Sequence, residues 1–360
     1  MFRTTTSEGT FHVNDDRLES FVLVQRSCMV KNCSPCLEAS FLDNVLPIDA
    51  TMSTTIDPLP PPSANQTFVT VSPIAGGFIT LAEEFFVSPA TKDAKRTVPS
   101  LTFLVTHPGT SAFGADGSKP FRMMFDLGLR RAKERYPEQL QTHIENRAPF
   151  DLAPGVAAQL KAGGLDPKDI DLVVLSHVHY DHHGDPEDFP QAQFRVGYGA
   201  LDVLKHGLGG IASHQHFVPD TLPDDRSGEL SDPKGSDWEP LGPFPAALDL
   251  FGDGSVYVID TPGHLPGHVI LLCRTKDRWL LLCGDAFHDR RLLAGEKEIG
   301  TWIGPAGNTL CIHLDKEAAA ESIRRLRDFE EYCESRVELI SAHDERWWER
   351  NKVKQFPMLL

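Results

Sequence analysis

Six consecutive residues, His177-Val178-His179-Tyr180-Asp181-His182, constrain the fold of this chain more than any other stretch. They follow Asp171-Leu172-Val173-Val174-Leu175, a short apolar run that reads as a strand buried on both faces. Such a strand needs neighbours in its own sheet and layers above and below it, which points to a layered α/β protein. The segment leaving that strand is rich in metal-binding groups. Residues two apart on an extended segment project the same way, so His177 and His179 can reach one ion. The chain then turns, and Asp181 and His182 can reach a second. Neutral imidazole and carboxylate are the donors that borderline divalent metals prefer. His183 breaks the spacing and reads as a neighbour of the cluster.

One cluster holds too few ligands for a catalytic metal site. Three further candidates share one context, the end of an apolar strand. His264 follows Val256-Tyr257-Val258-Ile259-Asp260-Thr261-Pro262-Gly263, Asp285 follows Leu280-Leu281-Leu282-Cys283-Gly284, and His343 follows Glu338-Leu339-Ile340-Ser341-Ala342. Sites in layered α/β folds gather at strand ends. With the first cluster, these residues supply two sets of three and a bridging carboxylate.

The rest of the chain divides unevenly. Residues 1–65 are rich in Ser, Thr, Asp and Pro and end in Pro58-Leu59-Pro60-Pro61-Pro62, the composition of a disordered extension. Met52 reads as a possible alternative start. Residues 66–360 form the folded domain. Strands are expected at 68–71 and 78–81 around a Gly76-Gly77 turn, and at 101–106, 121–125, 256–259, 269–273, 279–283 and 337–340. Helices are expected at 154–162 and 316–335, the second with Ile323, Leu326, Phe329 and Cys333 as a one-sided stripe. Residues 207–255, rich in Gly, Pro and Asp, read as an insertion without regular structure beside the site. His206 just before it and His214 and His216 in it read as lid or surface residues, and Phe217, Trp238 and Phe244 as candidate lining of an apolar pocket.

Charge and cysteines narrow the function. The formal net charge is −16, which gives no general attraction for nucleic acid or anionic membranes and favours a small, neutral or weakly charged substrate. Of seven cysteines, Cys273, Cys283, Cys311 and Cys333 sit in or beside apolar runs, where a thiol packs as a small hydrophobe. Cys28 stands apart, and Cys33 and Cys36 form a lone C-x-x-C that reads as incidental. No disulfide framework, signal segment or membrane span is expected, which fits a cytoplasmic, reducing compartment. Oligomeric state is left open.

These motifs resemble the metallo-β-lactamase superfamily. Its H-x-H-x-D-H signature is met by His177 to His182, its T-P-G-H block by Thr261-Pro262-Gly263-His264, its G-D strand end by Gly284-Asp285, and its late histidine by His343. Asp126, at the end of the Phe121–Phe125 run, matches the family's early supporting aspartate. The resemblance covers about residues 68–350. It implies an αββα sandwich, two mixed sheets packed face to face with outer helices. It also implies two Zn2+ per chain, with His177, His179 and His264 on one, Asp181, His182 and His343 on the other, and Asp285 bridging. The chemistry is hydrolysis by a metal-activated water, with one ion polarising the substrate carbonyl. Asp181 and His288 are the candidate catalytic side chains.

Within the superfamily, the run from Thr261 to His268 is similar to that of quorum-quenching acyl-homoserine lactonases. The chain also resembles the benzoxazolinone-opening γ-lactamases of plant-associated fungi, an association with xenobiotic detoxification. The lactonases carry a Tyr three residues after the bridging Asp, and here that position is His288. It could donate a proton near neutral pH or be a plain surface residue. The expected substrate is therefore a small-molecule lactone or lactam. A thioesterase of the glyoxalase II or polyketide-releasing type is the alternative.

Overall fold

The computed structural model describes residues 57–208, 216–304 and 306–360. The expectations for Met52, Cys28, Cys33, Cys36, His214 and the first 56 residues lie outside them.

Two six-stranded sheets dominate. The first has the order β1 (Thr70–Ala82), β3 (Lys95–His107), β4 (Phe121–Phe125), β5 (Leu172–Val174), β6 (Gln193–Val196), β7 (Ser227–Glu229). Its β1, β3 and β4 run antiparallel, and β4 to β7 are parallel neighbours. The second has the order β16 (Val337–Ile340), β12 (Trp279–Leu282), β11 (Val269–Arg274), β10 (Val256–Asp260), β9 (Phe244–Asp249), β8 (Glu239–Leu241). Only the β12–β16 pair is parallel there. Two ribbons lie outside, β2 (Val87–Ser88) with β13 (Glu298–Ile299) and β14 (Thr301–Ile303) with β15 (Thr309–Cys311).

Side-chain alternation decides what each sheet face meets. Val71, Phe103, Met123, Phe125, Leu172 and Val174 of the first sheet share one buried cluster with Val258, Leu271, Cys273, Leu280, Leu282 and Ile340 of the second. That cluster is the inner core of a sandwich. Ile74, Leu104, Met124 and Val173, on the other face of the first sheet, pack under α2 (Val156–Ala162) and α3 (Ala200–His206). Ile270, Leu272, Leu281 and Leu339 pack under α5 (Lys316–Cys333) through Ile323, Leu326 and Phe329. The αββα layering expected from the sequence is thus observed. Asp315 starts α5 by accepting the Ala318 amide at 2.9 Å, a helix N-cap. The short helices α1 (Glu138–Glu145), α4 (Arg290–Leu293) and α6 (Glu345–Asn351) complete the set, and α6 buries Trp347 and Trp348.

Three local expectations are corrected. Gly76-Gly77 is no turn. β1 runs straight through it, with a register shift between Ala75 and Phe78. Gly77 has φ +110°, and a Cβ on Gly76 would stand 2.7 Å from Gly128 Cα, so the glycines serve a close approach to the loop after β4. Residues 207–255 are not an irregular insertion throughout, since β7, β8 and β9 extend both sheets from within it. Phe244 therefore packs in the core against Phe329, at 5.3 Å between ring centroids, and Trp238 joins the inner core; neither lines an apolar pocket at the site. Asp57 to Pro61, placed in the tail by composition, dock on the fold. Leu59 is buried, and Arg274 donates to Pro60 O at 2.7 Å. Among the described residues no helix is long and apolar enough to cross a membrane.

Candidate metal centre

Five strand ends meet at one edge of the sandwich, those of β4, β5, β10, β12 and β16. They deliver Asp126, His177 to His182, His264, Asp285 and His343. All of these side chains are buried.

Two donor sets form there. His177, His179, His264 and Asp285 each offer a ligand atom within 4.8 Å of the others, and Asp181, His182 and His343 do the same. Asp285 lies between the sets. Its Oδ2 is 3.7 Å from His177 Nε2, 3.4 Å from His264 Nε2 and 3.4 Å from His182 Nε2, and its Oδ1 is 3.3 Å from His343 Nε2. The seven residues singled out as ligands in the sequence are therefore brought together.

The hydrogen-bond network assigns the tautomers. His343 Nδ1 donates to Pro99 O at 2.7 Å, which leaves Nε2 facing Asp285. His182 Nδ1 donates to Asp126 Oδ2 at 2.9 Å. His177 Nδ1 donates to Ser176 Oγ at 3.0 Å, and that hydroxyl donates to Asp126 Oδ2 at 2.8 Å. Asp126 Oδ1 also accepts the Ser176 amide at 2.6 Å. One carboxylate thus orients a ring in each set, and it does so from a backbone at φ 60°, a conformation that Asp tolerates better than most residues.

In the first set, His177 Nε2, His179 Nδ1 and His264 Nε2 stand 2.9, 3.0 and 3.2 Å apart. Three imidazole nitrogens converging on one point cannot all hydrogen-bond to one another. With His177 protonated at Nδ1, its lone pair faces its neighbours, a repulsive arrangement that a cation at the centre relieves. The ligand atoms of a tetrahedral zinc ion stand roughly 3.3–3.4 Å apart for bonds of about 2.0–2.1 Å, close to this spacing. In the second set, His182 Nε2 is buried without a hydrogen-bond partner, as is Asp285 Oδ1. The residues fit a pair of divalent ions.

The two sets differ in electrostatics. Burial, reinforced by neighbouring histidines, holds His177 and His264 well below the ordinary histidine pKa. Burial also opposes charge on His182 and His343, but carboxylates outweigh it, Asp285 and Asp126 for His182 and Asp285 and Asp181 for His343. Both are raised. Asp285 is held well below the usual carboxylate range, because His343, His182 and His288 overcome its burial.

His288 is not a surface residue. It is buried, its Nε2 lies 3.1 Å from Asp285 Oδ2, and its ring stacks on Phe86 at 5.5 Å. His183 donates to its neighbour's carbonyl, Gly184 O, at 3.0 Å and belongs to neither donor set. Phe217 stacks on His179 at 5.8 Å, as a lining residue would, whereas His206 is exposed and pairs with Asp202 on α3. His216 is exposed too.

Three contributors carry no motif of their own. His268 accepts the Asp285 amide at Nε2, 3.1 Å, while its Nδ1 donates to Thr261 Oγ1 at 2.8 Å, and burial pushes it down to about 4. It ties the β10–β11 turn to Asp285. His313 Nδ1 lies 3.3 Å from His264 Nδ1, where it can accept a proton from that ring and free His264 Nε2 for the cluster. His313 follows Leu310-Cys311-Ile312, again just past a strand, and that placement was the one available signal. Arg147, at the foot of α1, lines the same cavity as Asp181, Asp285, His288 and His343.

Residues 123–331, more than half of the chain, match a family model described as the metallo-beta-lactamase superfamily. A γ-lactamase of Fusarium pseudograminearum is 31% identical over 225 residues, which cover 61% of this chain and 48% of that protein. A γ-lactamase of Gibberella moniliformis is 33% identical over 171 residues, 46% of this chain and 70% of that protein. The chain thus spans about half the length of the first of these relatives. A solved N-acyl homoserine lactone hydrolase, with N-hexanoyl-L-homoserine bound at its catalytic metal centre, shares the fold. Its TM-score is 0.58 at 17% identity, over 82% of this chain and all of that one.

Proposed function

The chain belongs to the metallo-beta-lactamase superfamily, and we propose that it is a dinuclear zinc hydrolase that opens a cyclic ester or cyclic amide. His177, His179 and His264 hold one ion, Asp181, His182 and His343 the other, and Asp285 serves both. The observation that carries this reading is the position of Asp285, within 3.7 Å of donor nitrogens from both sets. When bound, two such ions supply a water acidified to near neutrality and a Lewis acid for the carbonyl.

The remaining steps fall to the chain's own groups. Asp126, His268 and His313 hold the rings and the bridging carboxylate in place. His288 lines the cavity beside Asp285, which holds a proton on its Nε2. As an imidazolium, His288 would give a proton to the departing oxygen or nitrogen and regain one from the attacking water. An amide nitrogen leaves poorly without a proton, so this donor matters more for a lactam than for a lactone. Ile79, Leu81 and Ile312 make the cavity's apolar wall and limit water around the reacting atoms. The names of the relatives, γ-lactamases among them, support the substrate class.

The test is a hydrolysis panel on zinc-loaded protein: homoserine lactones, simple γ-lactones, benzoxazolinone, a β-lactam and a glutathione thioester. Opening of a lactone or lactam supports the reading, and cleavage of the thioester alone overturns it.

A further inference from the structure

Among the described residues that line the small cavity over the candidate metal centre, about 30 Å³, the one permanent cation is the guanidinium of Arg147, and nothing assigned so far employs it. Its backbone is fixed on both sides: the amide donates to Ile144 O at 2.8 Å, and the carbonyl accepts from Thr80 of β1 at 2.9 Å. The side chain lies over Phe85, 5.3 Å from Cζ to the ring centroid, and lines the cavity together with Tyr180. Tyr180 is the residue between the two ligand pairs of the motif.

Of the other buried and half-buried arginines, Arg96, Arg130, Arg131, Arg135 and Arg291 pair with carboxylates, and Arg195, Arg274 and Arg327 donate to carbonyl oxygens. Among the described residues no carboxylate lies within 4.0 Å of the Arg147 nitrogens, and its Nε is buried without a hydrogen-bond partner. Leaving a buried donor unmade is costly, and the fork of a guanidinium matches an oxyanion in shape and charge.

The opposite side of the centre differs. A second cavity of about 260 Å³ meets the first at His179, His264 and Ile312, and its walls combine Leu208, Leu265, Leu310 and Leu314 with Thr301, Lys316 and Glu317. The candidate metal centre therefore has a leucine-bearing but mixed space on one side and a cation without a carboxylate partner on the other.

We propose that Arg147, with the Tyr180 hydroxyl, is the recognition site for a carboxylate on the substrate. The substrate is then a lactone or lactam acid whose scissile ring lies over the metals, its carboxylate on Arg147 and its apolar part among the leucines. The assignment rests on the cyclic-ester or cyclic-amide reading above. It also narrows the expectation of a neutral or weakly charged substrate to a singly charged one, because a net charge of −16 describes the whole surface while Arg147 sets the sign inside the cavity.

The test uses zinc-loaded full-length chain and a matched pair of probes, 5-oxotetrahydrofuran-2-carboxylate and its uncharged primary amide. Binding of each is measured by calorimetry and ring opening by kinetics, for wild type, Arg147→Gln and Arg147→Lys. Wild type should favour the carboxylate. Arg147→Gln should weaken its binding about tenfold or more beyond any loss on the amide, the usual scale for a charge-assisted hydrogen bond. The kinetic loss should appear in KM rather than kcat, and Arg147→Lys should recover part of it. Equal losses on both probes, or none, would overturn the assignment and leave Arg147 a structural partner of Phe85 and Tyr180. Ring opening of neither probe, with carboxylate binding still dependent on Arg147, would strike the hydrolase reading and spare the recognition site.

Discussion

The two donor sets lie a few ångströms apart and share Asp285, yet they are built on opposite electrostatic plans. The first is all imidazole apart from the shared carboxylate. Its nitrogens face one another at 2.9–3.2 Å, and burial keeps His177 and His264 neutral. The second pairs its histidines with Asp126, Asp181 and Asp285, which hold His182 and His343 towards the charged form. Protons can pair each histidine of the second set with a carboxylate, whereas in the first set a proton can bridge only one pair of the three converging nitrogens at a time. The first set is thus the strained half of the metal-free protein, and the second is the half that must release protons to take up an ion.

Several substitutions break or sharpen that contrast. The largest effect is expected at the residue common to both halves. Asp285→Asn should lower metal content in both sets and cut turnover roughly 10³-fold or more, with little change in the thermal melt of the metal-free chain. Wild-type turnover in that variant would refute the bridging role. Next come the supporting residues, one biased to each half. Asp126→Asn removes the acceptor of His182 Nδ1, and His313→Ala removes that of His264 Nδ1. Each should weaken metal binding by about 10–100-fold, measured by competition with a graded chelator. Asp126→Asn should act mainly on the second set, His313→Ala on the first. His313→Asn keeps an acceptor and should restore part of the loss. If both variants affected the same ion, the two-plan account would fail.

His288→Ala should slow lactam opening more than lactone opening, by about 10²-fold or more on the lactam, as expected for a lost general acid. Equal effects would remove that role.

The smallest effect is on the metal-free fold. His268 is held down to about 4, against an ordinary value near 6.5. A depressed group contributes stability above its unfolded pKa and loses it as pH falls through the folded one. The melting temperature of the metal-free chain should therefore fall between about pH 6.5 and 4, and His268→Gln should flatten that fall. An unchanged slope would assign it to other groups.

The candidate donor residues could be brought together from the sequence because they follow the ends of apolar strands, and such runs are visible as pattern. His177 to His182 sit in one segment, and His264, Asp285 and His343 repeat the same context. The supporting residues were harder to see. His313 follows a three-residue strand of an outer ribbon, too short to stand out, and Arg147 ends a short helix whose position against β1 is a tertiary fact. The Gly76-Gly77 pair shows the same limit. Two glycines signal a turn locally, but their reason is the close approach of Gly128, fifty residues on. Phe244 and Trp238 looked like the lining of an apolar pocket because Gly and Pro surround them, and strand pairing at both sheet edges drew them into the core.

The central claim is that two donor sets share one carboxylate, and the most direct measurement is a zinc titration of the metal-depleted chain followed by elemental analysis. The account predicts two ions per chain in wild type and fewer in Asp285→Asn. A single tightly held ion in wild type, unchanged by Asp285→Asn, would contradict it.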